Sequence, residues 1–273
     1  MSAAAEMNSH WFLKLLSYPR SIIVLLFIPI WTLFTALTII ILGFIPGGAQ
    51  FGDFCASVWG TVLVKISGLE VEVRGRENLP QSGGLVLFNH TSNFDIFLMM
   101  CFLAERKLKF GAKAELFKVP FLARAMATVG ALPIERKDRE KVLALYKVAE
   151  SRMQNGETFA LAPEGTRQKD FNLGSFRNGP FLFAVGAQGP IIPLVIAGAL
   201  PIMPPGAPKV NWGVWKRKVI MEILPVVETK NLSEESVKQV RDQVRSQMLG
   251  KYDELKSELG YPVQNDGSDK IQS

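Results

Sequence analysis

From Ser21 to Gly52 the chain carries no charged side chain, and Ile22 to Ile45 is apolar apart from a few threonines and Pro29. At about 1.5 Å per helical residue such a run is long enough to cross a hydrocarbon layer of roughly 30 Å. Its apolar length exceeds that of a cleaved signal peptide, which predicts a retained anchor. After the Pro46-Gly47-Gly48 break, Phe51 to Lys65 reads as a second apolar helix whose Trp59 would sit at headgroup level. Lys14 and Arg20 precede the first helix, so the positive-inside bias puts the amino terminus in the cytoplasm. A hairpin of the two helices, or a pair lying in one leaflet, returns the rest of the chain to that side. Residues 1–66 are thus expected to be a two-helix anchor in the cell inner (cytoplasmic) membrane or its equivalent.

Composition agrees with contact to lipid: 48% of residues are hydrophobic and the mean hydropathy is +0.17. The net charge of +6 fits an anionic membrane surface, a phosphorylated substrate or nucleic acid. No long lysine-arginine run and no zinc-finger spacing occur, so nucleic acid is not an expected partner. Cys55 and Cys101 have neither metal-site nor redox-motif spacing and read as small buried hydrophobes.

From Leu69 onward the pattern becomes α/β. Short apolar runs at Leu69–Val73, Leu85–Phe88, Leu108–Gly111, Ala131–Ile134, Thr158–Leu161, Ile191–Ile196 and Val219–Ile223 read as strands. Helix-length segments at Phe94–Leu103, Leu116–Val129, Arg139–Asn155 and Asn178–Ala187 fall between them. This alternation predicts a mixed, largely parallel sheet covered by helices on both faces, in one domain over residues 67–230. Residues 231–273 read as a helix opening at Ser233-Glu234-Glu235, with an apolar stripe of Val237, Val240, Val244 and Met248, and a disordered polar tail.

The turn after the second strand, Asn89-His90-Thr91-Ser92-Asn93-Phe94-Asp95, holds one of only two histidines; the other, His10, lies in the polar leader. His90 is the candidate base near neutral pH. With His90 in the turn and Asp95 in the first helical turn the two can meet, and Ser92 and Asp95 also have capping-box spacing. The residues alone leave a dyad and a plain cap both open. Other predicted strand ends carry cations: Lys113, Arg136 and, in Pro163-Glu164-Gly165-Thr166-Arg167, Arg167. Ligands of such sheets bind at the carboxyl ends of strands, and a phosphate-bearing hydroxyl compound suits this collection.

These segments resemble the four blocks of the glycerolipid acyltransferases, above all the 1-acyl-sn-glycerol-3-phosphate acyltransferases. Asn89 to Asp95 is similar to the N-H-x4-D block; Gly130 with Pro133-Ile134-Glu135-Arg136 to the second; Pro163 to Arg167 to the third; Ile192-Pro193-Leu194-Val195-Ile196 to the fourth. The resemblance covers about Leu69 to Glu222. It implies transfer of a fatty acyl group from an acyl-CoA or acyl-carrier-protein thioester to the sn-2 hydroxyl of lysophosphatidic acid, giving phosphatidic acid in phospholipid biosynthesis. By the same resemblance His90 is the general base and Asp95 its orienting partner. Lys113, Arg136 and Arg167 clamp the phosphate, Glu164 and Gly165 shape the acceptor site, Thr166 adds a hydroxyl contact, and Pro193 is structural. No metal and no prosthetic group are implied; the partners are the two substrates, the bilayer and an acyl carrier protein. The chain departs from the family at Ala162, where an aromatic is commoner, and at Pro133-Ile134-Glu135. Acyltransferases for glycerol 3-phosphate or other lysophospholipids share the blocks. A thioester or lipid hydrolase lacks its Gly-x-Ser-x-Gly elbow here, and a non-catalytic lipid-binding module is the remaining alternative. Lys209 to Lys218, with Trp212 and Trp215, reads either as an exposed loop or as a surface resting on anionic headgroups.

Overall fold

Seven strands lie at the seven places the apolar runs mark: β1 (Leu69–Arg74), β2 (Gly84–Phe88), β3 (Lys109–Lys113), β4 (Leu132–Ile134), β5 (Thr158–Leu161), β6 (Ile191–Ala197) and β7 (Arg217–Ile223). They form one sheet in the order β1-β7-β6-β2-β5-β3-β4 in the computed structural model, which describes residues 3–135 and 137–263. β6, β2, β5, β3 and β4 run parallel; β7 is antiparallel to β6 and parallel to β1. β2 and β6 are buried at every position, as central strands covered on both faces must be.

The pleat sorts their side chains. Leu85 and Leu87 join a cluster with α5 (Arg139–Gln154), α6 (Gly179–Ala187) and α7 (Val237–Glu258) on one face. Val86 and Phe88 join α2 (Gly52–Ile66) and α3 (Phe94–Phe102) on the other. The predicted stripe Val237, Val240, Val244 and Met248 is buried on the first face. The segment expected to be one helix from Leu116 to Val129 is instead a 3-10 turn, Ala114–Lys118, followed by α4 (Leu122–Thr128). Pro120 is the cause: it has no N–H to give a helix and holds Val119 extended.

The amino-terminal pair of helices departs from the expectation in one respect. α1 (Ala3–Gly43) contains the one stretch, Trp11–Gly43, that is long and apolar enough among the described residues to cross a membrane. α2 packs into the domain. A Cβ on Gly60 would stand 2.7 Å from the Met100 Cβ and 2.8 Å from the Phe97 carbonyl oxygen, so only glycine lets α2 approach α3 this closely. Trp59, expected at headgroup level, is half-buried against protein: its Nε1 donates to Thr32 Oγ1 at 3.0 Å and its ring meets Phe97 edge-on at 4.7 Å. Lys109 of β3 pairs with Asp53 at 2.7 Å.

From Tyr18 to Gly43 α1 runs along the same domain. Near its middle Arg20 donates to the carbonyls of Val214, at 2.7 Å, and Trp215, and lies over the Trp215 ring. Ser21 Oγ accepts from the Val210 N–H, and Tyr18 meets Trp212. Further on Val24, Ala36 and Ile39 are buried, and Gly43 abuts Thr128. The opposite side of α1 exposes Ile23, Leu26, Ile30, Phe34 and Ile41. The 209–218 stretch thus serves as a seat for α1, with Lys216 and Lys218 paired to Glu70 and Glu72. Cys55 and Cys101 are free and half-buried rather than fully buried. The polar tail expected to be disordered lies, from residue 264 on, outside the described residues.

Candidate active site

β2 hands over to the site through Asn89. Its amide donates to the Ile196 carbonyl at 2.9 Å and accepts from the Ile196 N–H at 2.7 Å, prolonging the β2–β6 ladder by one side-chain rung. The chain then turns, and His90 Nδ1 lies 2.8 Å from Asp95 Oδ2. The same oxygen accepts from the N–H groups of Thr91, at 2.8 Å, and Ser92, at 2.9 Å. Asp95 is fully buried, and the His90 side chain is 14% exposed. An oxygen that already accepts from two N–H groups faces the ring as an acceptor too, so the ring hydrogen sits on Nδ1 and Nε2 keeps its lone pair.

The cap and the dyad coexist. Asp95 accepts from the Ser92 N–H, which is one half of a capping box, while Ser92 Oγ accepts from Phe94 N at 3.2 Å, one residue short of the other half. Ser92 Oγ also donates to the Met203 carbonyl, tying the turn to the β6–β7 connection.

Register brings the other strand ends alongside. Ala160 is level with Val86 of β2 and Phe110 of β3, so three residues further on Asn89, Pro163 and Lys113 leave the sheet at one edge. The turn from Pro163 to Gln168 grips His90 by its main chain. Glu164 Oε1 accepts from the His90 N–H at 2.9 Å, and the Gln168 N–H donates to the His90 carbonyl at 2.8 Å. Glu164 Oε2 accepts from the Gly174 N–H at 2.9 Å. Burial pushes the Glu164 carboxyl up to about 7, against the pull of these two N–H groups. Its carboxyl thereby holds the main chain of the histidine turn to that of Gly174. Gly165 has φ +73, and a Cβ there would stand 2.6 Å from Arg177 Nε.

Arg167 is half-buried and makes no hydrogen bond or ion pair among the described residues. Lys113 is exposed and 3.3 Å from Glu115, and Thr166 is exposed. Arg136 lies outside the described residues. Glu164 and His90 are thus in direct contact, Arg167 follows on the same turn, and Lys113 stands at the neighbouring strand end.

Two further residues support the site and were not singled out in the sequence. Arg245 of α7 donates to the carbonyls of Leu173 and Gly174, both at 3.1 Å. Lys256, fully buried, donates to the Phe171 carbonyl at 2.8 Å and pairs with Asp253 at 2.7 Å. A lysine falling on the buried side of α7 was the available signal for the second. A hydrogen-bonded path thus runs from Arg245 through Gly174 and Glu164 to the His90 main chain.

Comparison with known proteins identifies the class first. Residues 70–197 match the Acyltransferase family model, which encloses the histidine turn, the Glu164 turn and β6. A chloroplastic 1-acyl-sn-glycerol-3-phosphate acyltransferase of Arabidopsis thaliana is 30% identical over 61% of this chain and 47% of its own length. The 1-acyl-sn-glycerol-3-phosphate acyltransferase of Saccharomyces cerevisiae is 32% identical over 75% of this chain and 66% of its own. The crystal structure of the 1-acyl-sn-glycerophosphate (LPA) acyltransferase of Thermotoga maritima superposes with a TM-score of 0.69 at 26% identity, covering 85% of this chain and 96% of that one. The chain belongs to the 1-acyl-sn-glycerol-3-phosphate acyltransferase family of glycerolipid acyltransferases. It spans about half the length of the plant relative and 66% of the yeast one.

Proposed function

We propose that the protein transfers a fatty acyl group from an acyl-CoA or acyl-carrier-protein thioester to the sn-2 hydroxyl of 1-acyl-sn-glycerol 3-phosphate, forming phosphatidic acid. The observation that carries this reading is the His90–Asp95 contact of 2.8 Å at the strand edge from which Arg167 also projects. His90 Nε2 takes the proton of the hydroxyl as its oxygen attacks the thioester carbon, a role worth about 10²-fold to 10⁴-fold. Asp95 favours the imidazolium that forms. The tetrahedral intermediate expels the thiolate, which takes the proton back from Nε2; a thiol of pKa about 8.5 leaves without further acid help. So written, the reaction uses no protein nucleophile, metal or prosthetic group. Arg167, together with Lys113 and Arg136, takes the acceptor phosphate, for which a guanidinium fork is suited.

Purified protein in detergent, given labelled acyl-CoA or acyl carrier protein and a panel of acceptors, tests the reading. Phosphatidic acid is the expected product. Free fatty acid formed without acceptor dependence would instead indicate a hydrolase. Arg167→Ala is expected to raise the KM for lysophosphatidic acid about tenfold with little change in kcat.

Membrane attachment follows the course of α1. Its contacts at Arg20 and at Gly43 are both with this one domain, about 35 Å apart along the helix axis. A helix held flat along that length enters one leaflet with its exposed stripe and leaves both ends on the domain's side, the cytoplasmic one by the Lys14 and Arg20 bias. Single cysteines placed at Trp11 and Phe44 are then expected to react from the same side of sealed vesicles.

A further inference from the structure

A cavity of about 520 Å³ lies away from His90. It opens at the amino edge of the sheet, beside Thr158 where β5 begins, about 15 Å or more along the strands from the histidine turn. Four cations line it, Arg106, Lys107, Lys109 and Arg152, against two carboxylates, Glu105 and Glu157. The pairing leaves a surplus. Arg152 is bound to Glu157 at 2.6 Å, Lys109 to Asp53 at 2.7 Å, and Glu105 to Arg76 from outside the cavity at 2.7 Å.

Arg106 and Lys107 have no carboxylate partner among the described residues. The Arg106 guanidinium is held only by neutral oxygens, the carbonyls of Pro80 and Ser82 and the Thr158 hydroxyl, and its Nε is buried without an acceptor. Charge held by neutral dipoles in a concave, partly desolvated place attracts an anion strongly. Phe51 and Phe54 are exposed where α2 begins, on either side of Gly52, which abuts Val129 of the cavity lining, and of Asp53, the partner of Lys109. Cationic cavity and exposed rings thus adjoin one another.

We propose that this cavity is a second lipid site, which takes the phosphate headgroup of an acidic phospholipid while its acyl chains lie over the exposed rings of Phe51 and Phe54. It is separate from the site proposed for the acceptor, and it stands whether or not the acyl-transfer reading holds.

Equilibrium binding of labelled dioctanoyl phosphatidic acid to the full-length protein in neutral detergent tests it. Two sites per chain are expected. Lys107→Glu should weaken one of them at least tenfold and leave acyl transfer within twofold of the wild type, whereas Arg167→Ala should weaken the other. Lys107 has φ +47, so Lys107→Asn, which removes the charge and suits a left-handed backbone, should give the same loss and exclude a backbone effect. The proposal is overturned if both lysine variants keep both sites. It is also overturned if dioctanoyl phosphatidylcholine binds the Lys107-dependent site equally well, or if inorganic phosphate displaces the lipid from that site at equal concentration, which would assign the cavity to free phosphate. If only the Arg167-dependent site is missing, the acceptor assignment fails and this one stands.

Discussion

The two edges of the sheet are both polar and are built in opposite ways. At the carboxyl edge the polar side chains are short, buried and bonded to main chain: Asn89 to Ile196, Asp95 to Thr91 and Ser92, Glu164 to His90 and Gly174. At the amino edge they are long cations, of which Arg152 and Lys109 are paired to carboxylates while Arg106 and Lys107 have no carboxylate partner among the described residues. Bonds to main chain fix position, because the backbone cannot follow a side chain that drifts. Long flexible cations supply charge and leave geometry free. The first arrangement suits a reacting atom, which must be held within a fraction of an ångström, and the second a headgroup.

Substitutions at the two edges should therefore fail differently. His90→Ala is expected to have the largest effect, lowering kcat by about 10²-fold to 10⁴-fold while circular dichroism and the melting transition stay near wild type. A variant with undiminished turnover would remove the proposed base. Glu164→Gln comes next. The amide can accept from only one of the two N–H groups and turns a donor toward the other, so kcat should fall roughly tenfold to a hundredfold with little change in KM.

The same variant carries a pH signature. The Glu164 carboxyl is raised from 4.5 to about 7 in the folded protein, so it favours folding while protonated. That contribution is whole below about 4.5 and is lost as the pH rises through about 7, a change on the order of 3 kcal/mol. Denaturant titrations should show wild-type stability declining over this window and Glu164→Gln free of that decline. Parallel curves would count against the buried carboxyl as the source. The smallest effect is expected at Arg245, whose loss acts through Gly174 and Glu164. Arg245→Ala should lower kcat roughly threefold, leave both KM values alone, and be partly rescued by Arg245→Lys.

How much of this could be read from the sequence depends on how far the cause lies from the effect. The strands were legible because each is a short apolar run closed by turn residues, and the His90–Asp95 contact because both partners lie in one seven-residue turn. The break before α4 was legible in principle at Pro120. The role of Glu164 was not, since its partners are main-chain N–H groups at His90 and Gly174, and main chain is the same everywhere in a sequence. Arg245 and Lys256 act on a loop some 70 to 85 positions away. The packing of α2 was hidden for another reason: an apolar face turned to protein and one turned to lipid have the same composition, and only Gly60 hinted at which it was.

That packing bears on how the protein can be handled. Leu63 and Val64 of α2 lie in the same cluster as Val86 and Phe94, and Val24 of α1 joins them. In cross-section the molecule is a stack: α5 to α7, the sheet, α2 with α3, then α1, with the exposed stripe of α1 left for lipid. A chain trimmed at residue 66 to gain solubility would lose one layer and strip the next, so the bilayer is better regarded as the outermost layer of the fold than as a surface to which a finished enzyme is tied.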